Sequence, residues 1–243
     1  MLAKPRPAAH LFRMIRFTPI LLAILYALVM YRFSVWRTSR ELDARSAELA
    51  DARLNKLTAR LASALEVDRI RVHLYEVDQV NGLAAPDGRI FITRGFYDRY
   101  RKGEVSAEEM VSVIAHELGH VALGHSRRRM IDFSGQNAIR AALAMVLNRF
   151  LPGIGVWIAN ALTSLLAARL SRSDEYEADA YASALLLKAG IGTAPQKSLF
   201  RKLDKLTGMG GGPPVWMASH PRTEDRIQAI EANEAKWGQL SSD

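Results

Sequence analysis

Apolar positions along this chain form two long runs and several periodic patterns. The first run, Phe17 to Tyr31 (FTPILLAILYALVMY), carries no charge and follows Lys4, Arg6, Arg13 and Arg16. A basic flank before such a run predicts a membrane-seeking helix. The run is short of the ~20 residues that cross a bilayer, but Arg32 can snorkel, and Phe33, Val35 and Trp36 extend it into an interfacial belt. A cleavable signal peptide and a buried soluble helix are the competing readings, and bulky Tyr31, Phe33 and Trp36 stand where a small-x-small cleavage site would lie. From Ser39 to Glu66, Leu42, Leu49, Leu57, Leu61 and Leu65 recur at helical spacings and predict one amphipathic helix leaving the membrane. Alternation of Ile70, Val72, Leu74 and, less cleanly, Val77 predicts a strand. After Asn81-Gly82 and the turn signal Pro86-Asp87-Gly88, Ile90 to Thr93 predicts a second, giving a small sheet.

Ser106-Ala-Glu-Glu109 has the form of a capping box and precedes the helical pattern Val111, Ile114, Ala115, Leu118 and Val121. A helix begins there and fades around Gly124, with the basic run Arg127 to Arg129 near its C-terminal end. The second apolar run, Ala138 to Leu170, is split at Pro152-Gly153 and carries Arg140, Asn148 and Arg149. Each half is short for a span, which suits a buried helical hairpin or lid, with an interfacial hairpin or two short spans as alternatives. Asp174 to Lys188 predicts a helix ending at Gly190, Gly208 to Pro214 a flexible loop, and Thr223 onward a last helix.

Composition narrows the chemistry. With 243 residues, 49% hydrophobic and 24% charged, the chain is globular rather than disordered. It contains no cysteine, which removes disulfide scaffolds, thiolate zinc sites and Cys nucleophiles. Any metal must sit on His and carboxylate. The net charge of +8 is compatible with nucleic acid, anionic lipid or a plain basic surface, and does not choose among them.

The sharpest motif is His116-Glu117-Leu118-Gly119-His120, an HExxH inside the helix argued from its cap and periodicity. Spacing i, i+4 puts both imidazoles on one face, one turn apart, within reach of a single Zn²⁺, while Glu117 is offset toward a water on the metal. A catalytic zinc needs a third protein ligand and an open position. His125 does not have the spacing of a metzincin third ligand. The better donor lies in Ser171 to Asp179 (SRSDEYEAD), where Glu175 can complete a His, His, Glu site and Asp179, one turn on, can orient a ligating His. Glu177 is the rival ligand. Gly119 costs about 1 kcal/mol of helix propensity relative to Ala, which predicts close packing against the helix there.

Four ordered motifs, VNGLAAPDGRIFITRGFYD, AHELGHVALGHS, SRSDEYEADAYA and SHPRTEDRI, spread over roughly Val72 to Ile230, resemble the HtpX and CAAX prenyl protease-type zinc metallopeptidases, which are gluzincins. That family includes the Oma-type mitochondrial peptidase and the envelope peptidases BepA and LoiP. The resemblance implies Glu175 as third ligand, Asp179 as its companion, and His220 and Arg226 near the open position and the cleft. It also implies that the strand Ile90 to Thr93 is an edge to which a substrate peptide adds. The HtpX and prenyl-processing branches are polytopic, whereas this chain shows one convincing anchor, so the BepA, LoiP and Oma-type branches fit better.

The expectation is therefore an α+β, mostly helical, zincin-like metallopeptidase domain over residues 39–243, behind a basic tail and membrane anchor over 1–38. One Zn²⁺ is held by His116, His120 and Glu175, with Asp179 behind them and Glu117 as general base, and with His220 and Arg226 assisting. Basic residues flank the anchor equally on both sides. The short N-terminal tail is easier to keep inside, which puts the catalytic domain on the periplasmic face of a bacterial inner membrane. Substrates are misfolded or envelope polypeptides, with lipid contacted by the N-terminal helix and no nucleic-acid partner. A zinc-containing chaperone or adaptor with little proteolysis is the alternative.

Overall fold

Helix α1 (Ala8–Ala44) does not continue through the leucine-rich segment that follows it. The chain leaves the helix, forms strand β1 (Ser46–Glu48) and starts a new helix, α2 (Ala52–Ala64). The single amphipathic helix expected from Ser39 to Glu66 is thus two helices with a strand between them. Asp51 makes the break: its side chain accepts from the backbone N–H groups of Arg53 and Leu54, both at 3.0 Å, and caps α2. The leucines that looked like one stripe serve two layers. Leu42 packs with Ala85 and Phe91, while Leu49, Leu54, Leu57 and Leu61 belong to the main core.

In this computed structural model, residues 8–85, 87–125, 128, 140, 143–207 and 223–240 are described. After α2 come β2 (Val72–Tyr75), β3 (Gly82–Ala84), β4 (Ile90–Thr93), α3 (Arg94–Arg101), α4 (Ala107–Ala122), α5 (Gly155–Lys188), α6 (Ala194–Thr207) and α7 (Thr223–Leu240). The molecule is mostly helical with one mixed four-stranded sheet in the order β1-β2-β4-β3. β2 and β4 run parallel, with Val72 opposite Ile90, while β1 and β3 pair antiparallel on the outsides.

That order corrects one expectation. Ile90 to Thr93 is an interior strand, buried at all four positions and hydrogen-bonded on both sides, so it offers no edge. The edge on that side is β3, formed by residues that the Asn81-Gly82 turn signal had hidden.

The capping box at the start of α4 is present: Ser106 Oγ accepts from the Glu109 N–H at 3.1 Å, and Glu109 Oε2 accepts from the Ser106 N–H at 2.8 Å. Glu109 also accepts from Ser198 Oγ at 2.7 Å and Lys202 Nζ at 2.8 Å, which ties α4 to α6. Burial opposes ionisation of Glu109, but Lys202 and these hydrogen bonds outweigh it and hold its carboxyl below the usual range. Gly124, at φ +71°, turns the chain at the end of α4.

Helix α4 packs most extensively against α5. A Cβ on Gly119 would lie 3.0 Å from both Cα and O of Ala178, so the two backbones cross at the glycine, as its place inside a helix predicts. α5 is one continuous helix from Gly155 through Asp174 to Lys188. Residues 143–150 are helical as well and fold back against its start. Gly155 lets the two arms touch, since a Cβ there would meet Asn148 N at 2.4 Å.

Among the described residues no helix is long and apolar enough to cross a membrane. On α1, Leu25, Tyr26, Leu28, Val29, Met30, Phe33 and Trp36 are exposed. The loop Gly208 to Pro214, Arg127, Arg129 and His220 lie outside the described residues.

Candidate metal centre

Helix α4 presents His116 and His120 one turn apart, and α5 presents Glu175 to them across the Gly119 crossing. His116 Nε2 and His120 Nε2 are 3.1 Å apart. Glu175 Oε2 lies 3.3 Å from His116 Nε2, and Oε1 lies 3.4 Å from His120 Nε2. All three side chains are buried. One donor atom from each of the three residues lies within 4.8 Å of the other two, close enough for all three to reach one ion at bonds of about 2.0–2.2 Å. A buried set of two imidazole nitrogens and a carboxylate is also the donor chemistry that zinc takes.

The charge around the group favours a cation. Burial works against a charged His116, yet its hydrogen bonds to Asp179 and Glu175 prevail and push its pKa up to about 9. The field that stabilises an imidazolium there stabilises a metal ion in the same place.

Behind His116, Nδ1–H donates to Asp179 Oδ1 at 2.9 Å, which turns Nε2 toward the group. Asp179 is gripped by Arg226, with Nε to Oδ2 at 2.6 Å and Nη2 to Oδ1 at 2.7 Å. The Arg226 guanidinium lies 4.1 Å over the Phe200 ring, and its Nη2 is 3.9 Å from Glu175 Oε2. Burial alone would raise the Asp179 carboxyl, but the Arg226 charge holds it below the usual range. Arg226 comes from α7, so three helices close around one carboxylate.

Behind His120 stands a second chain of hydrogen bonds. Its Nδ1 is 3.0 Å from His125 Nδ1, and His125 Nε2 is 3.3 Å from Glu177 Oε2. One proton arrangement satisfies both contacts: His120 Nδ1–H donates to His125, and His125 Nε2–H donates to Glu177. Burial, with His120 beside it, keeps the His125 imidazole below its ordinary pKa, in the neutral form this requires. Arg128 Nη1 reaches Asp174 Oδ1 at 3.3 Å on the outer side of the same cluster.

Glu117 is buried and faces β3. Its Oε1 would be 3.3 Å from a Cβ on Gly82, so the absent side chain at Gly82 leaves room beside this carboxylate.

Residues 48–234 match the model for Peptidase family M48. The chain belongs to peptidase family M48. It is a metalloendopeptidase. The chain is 32% identical over 178 residues to the metalloprotease LoiP of Escherichia coli (strain K12), covering 73% of this chain and 68% of the relative. It is 29% identical over 178 residues to the metalloprotease YcaL of the same organism, covering 73% and 67%. A putative beta-barrel assembly-enhancing protease of Vibrio cholerae is 34% identical over 128 residues, which cover 50% of this chain and 26% of that one.

The family assignment that the four motifs implied is thereby established. Within the M48 domain the structure brings His116, His120 and Glu175 into one group, places Asp179 and Arg226 directly behind it, and buries Glu117 against β3. Glu177 turns instead to His125 and Ser173. His125 is the residue that spacing misjudged: set aside because it lacked a metzincin ligand's position, it reaches the site as a partner of His120. The signal available was Gly124 just before it, which ends α4 and swings the next residue back.

Proposed function

We propose that this chain is a membrane-anchored, zinc-dependent endopeptidase of polypeptides. The observation that carries this reading is the convergence of the buried side chains of His116, His120 and Glu175, whose donor atoms lie within 4.8 Å of one another. These three residues would hold one Zn²⁺, and the chemistry it would supply there is a bound water with its pKa lowered toward ~7 and a polarised carbonyl. Glu117 takes the proton from the attacking water and delivers it to the leaving amine. Asp179 and His125 fix the tautomers of the two ligating imidazoles, and Arg226 acts through Asp179 as a positioning residue. The edge of β3 supplies backbone groups on which an extended substrate aligns next to Glu117. The resemblance adds His220 as a group that would assist at the oxyanion.

A role in envelope protein quality control draws on the resemblance to BepA and LoiP and on the names of the relatives, a beta-barrel assembly-enhancing protease among them. The exposed apolar side chains of α1 support an anchor; the reading we propose for it is a bacterial inner membrane with the domain on the periplasmic side.

Glu117→Gln tests the mechanism. The purified variant keeps stoichiometric zinc and loses hydrolysis of an unfolded protein such as casein by about 10²-fold or more. Full loss of zinc, or casein cleavage at the wild-type rate, would refute the assignment of Glu117. A cellular function preserved in this variant would favour a chaperone.

A further inference from the structure

The hairpin formed by residues 143–150 and the start of α5 has no counterpart in the proposed chemistry, yet it exposes many large apolar side chains. Met145, Phe150 and Trp157 are 77%, 73% and 77% exposed, and Val146, Leu151, Ile154, Val156, Leu162 and Leu165 are exposed too. The turn between the arms is built rather than loose: Gly153, at φ +82°, donates its N–H to Asn148 Oδ1 at 2.9 Å, and Gly155 sits against the backbone of Asn148. A firm turn with apolar side chains around it is a wedge.

What covers the wedge follows from where its side chains point. Along α5, the small residues Gly155, Ala159 and Thr163 are buried on one side, whereas Val156, Trp157, Leu162 and Leu165 are exposed. At 100° per residue those exposed positions spread over roughly two thirds of the circumference. A partner helix, whether a second copy or a bound peptide, buries one stripe, while a bilayer surrounds all sides of an inserted tip. Charge agrees. No Asp or Glu occurs between Asp132 and Asp174, while Arg140, Arg149, Arg169 and Arg172 do. Arg149 is exposed directly beside Phe150 at the tip, with Arg140 and Arg172 exposed further back. Apolar tip, interfacial Trp and an arginine rim without carboxylates match the surface of an anionic membrane.

We propose that the hairpin tip, Phe150 to Trp157, inserts into the interfacial layer of an anionic lipid bilayer, as a second contact beside the α1 anchor and independent of it. Insertion to about 5–10 Å is what such a tip reaches. Because α5 also carries Glu175, the tip fixes the height of the metal centre above the lipid. Trp157 and Glu175 are separated along one helix by at most about 27 Å. That height equals at most about eight extended residues, so the favoured substrates are polypeptides still attached to the membrane and unfolded over up to about that length outside it.

The absence of native cysteine makes the test direct. Single cysteines are placed at Ile154, at Tyr26 on α1 and at Lys56 on α2, and labelled with an environment-sensitive fluorophore in the full chain. Each is reconstituted with phosphatidylcholine–phosphatidylglycerol vesicles that carry a nitroxide on the upper acyl chain. The label at 154 shifts to the blue, is quenched by the lipid nitroxide and is shielded from aqueous iodide; the label at 56 does none of these. The double change Phe150→Ser with Trp157→Ser abolishes the response at 154 and leaves that at 26 intact. A label at 154 open to iodide while that at 26 is lipid-quenched would overturn the proposal. So would shielding at 154 without lipid that grows with protein concentration, which assigns the wedge to a second copy, or shielding only on addition of casein, which assigns it to substrate. Lipid quenching at 154 but not at 26 would support the wedge and refute the α1 anchor.

Discussion

Replacing Gly119 by alanine tests whether the α4–α5 crossing sets the metal centre. Two terms oppose each other. Alanine gains about 1 kcal/mol of helix propensity inside α4. Its Cβ, however, would stand 3.0 Å from the Cα and O of Ala178, and these are backbone atoms that cannot rotate away. Ordinary contact needs about 3.5–4.0 Å, so α5 must retreat by about 0.5–1 Å. Overpacking of this kind costs about 1–3 kcal/mol, for a net loss of about 0–2 kcal/mol. At about 2–4 °C per kcal/mol the metal-free protein melts at most about 8 °C lower. The site suffers more. Glu175 and Asp179 flank Ala178 on α5 and move with it, while the imidazoles stay on α4. Their present separations of 3.3 and 3.4 Å leave little slack, because zinc bond lengths tolerate about 0.2 Å. Zinc affinity, measured by competition with a chromophoric chelator, should fall at least tenfold, about 1.4 kcal/mol or more. If Gly119→Ala binds zinc within twofold of wild type while melting lower, the crossing is a packing feature only and its link to the ligand geometry is wrong.

Two further outcomes follow from side chains outside the ligand group. His125→Leu removes the acceptor for His120 Nδ1–H and should weaken zinc binding about 10–100-fold, whereas His125→Asn, whose Oδ1 can accept the same proton, should restore most of it; equal loss in both variants would show that His125 only fills space. Glu109 provides a pH signature. Its folded pKa lies below the unfolded value, so its contribution is present above about pH 4.5 and disappears as pH falls through the folded pKa. Urea melts from about pH 7 down to about pH 3 should show the wild type losing its advantage over Glu109→Gln in that acid window, and parallel curves would contradict the sign.

Local chemistry wrote much of this protein in its sequence. The Ser106–Glu109 box, the periodicity of α4, the shared face of His116 and His120, and the tight approach at Gly119 all follow from contacts within one helical turn or from a single missing Cβ. The two core strands were legible, β2 from alternation and β4 from the run after the turn signal, though not their parallel pairing, and the family was legible from four short motifs in order. Other features depend on residues that local rules cannot bring together. His116 meets Asp179 across 63 positions and Arg226 across 110, and only the packing of α4, α5 and α7 makes those encounters. The identity of the edge strand was decided by which strands pair: β3 is too short to signal itself, and its partner β4 became interior because β2 took the other side. Asp51 was invisible as a breaker until Tyr97 and Tyr100 donated to the carboxylate that caps α2. The exposed tip at Phe150 and Trp157 reads as core by composition. Sequence determines how apolar a segment is, but only the fold determines whether anything is left to cover it.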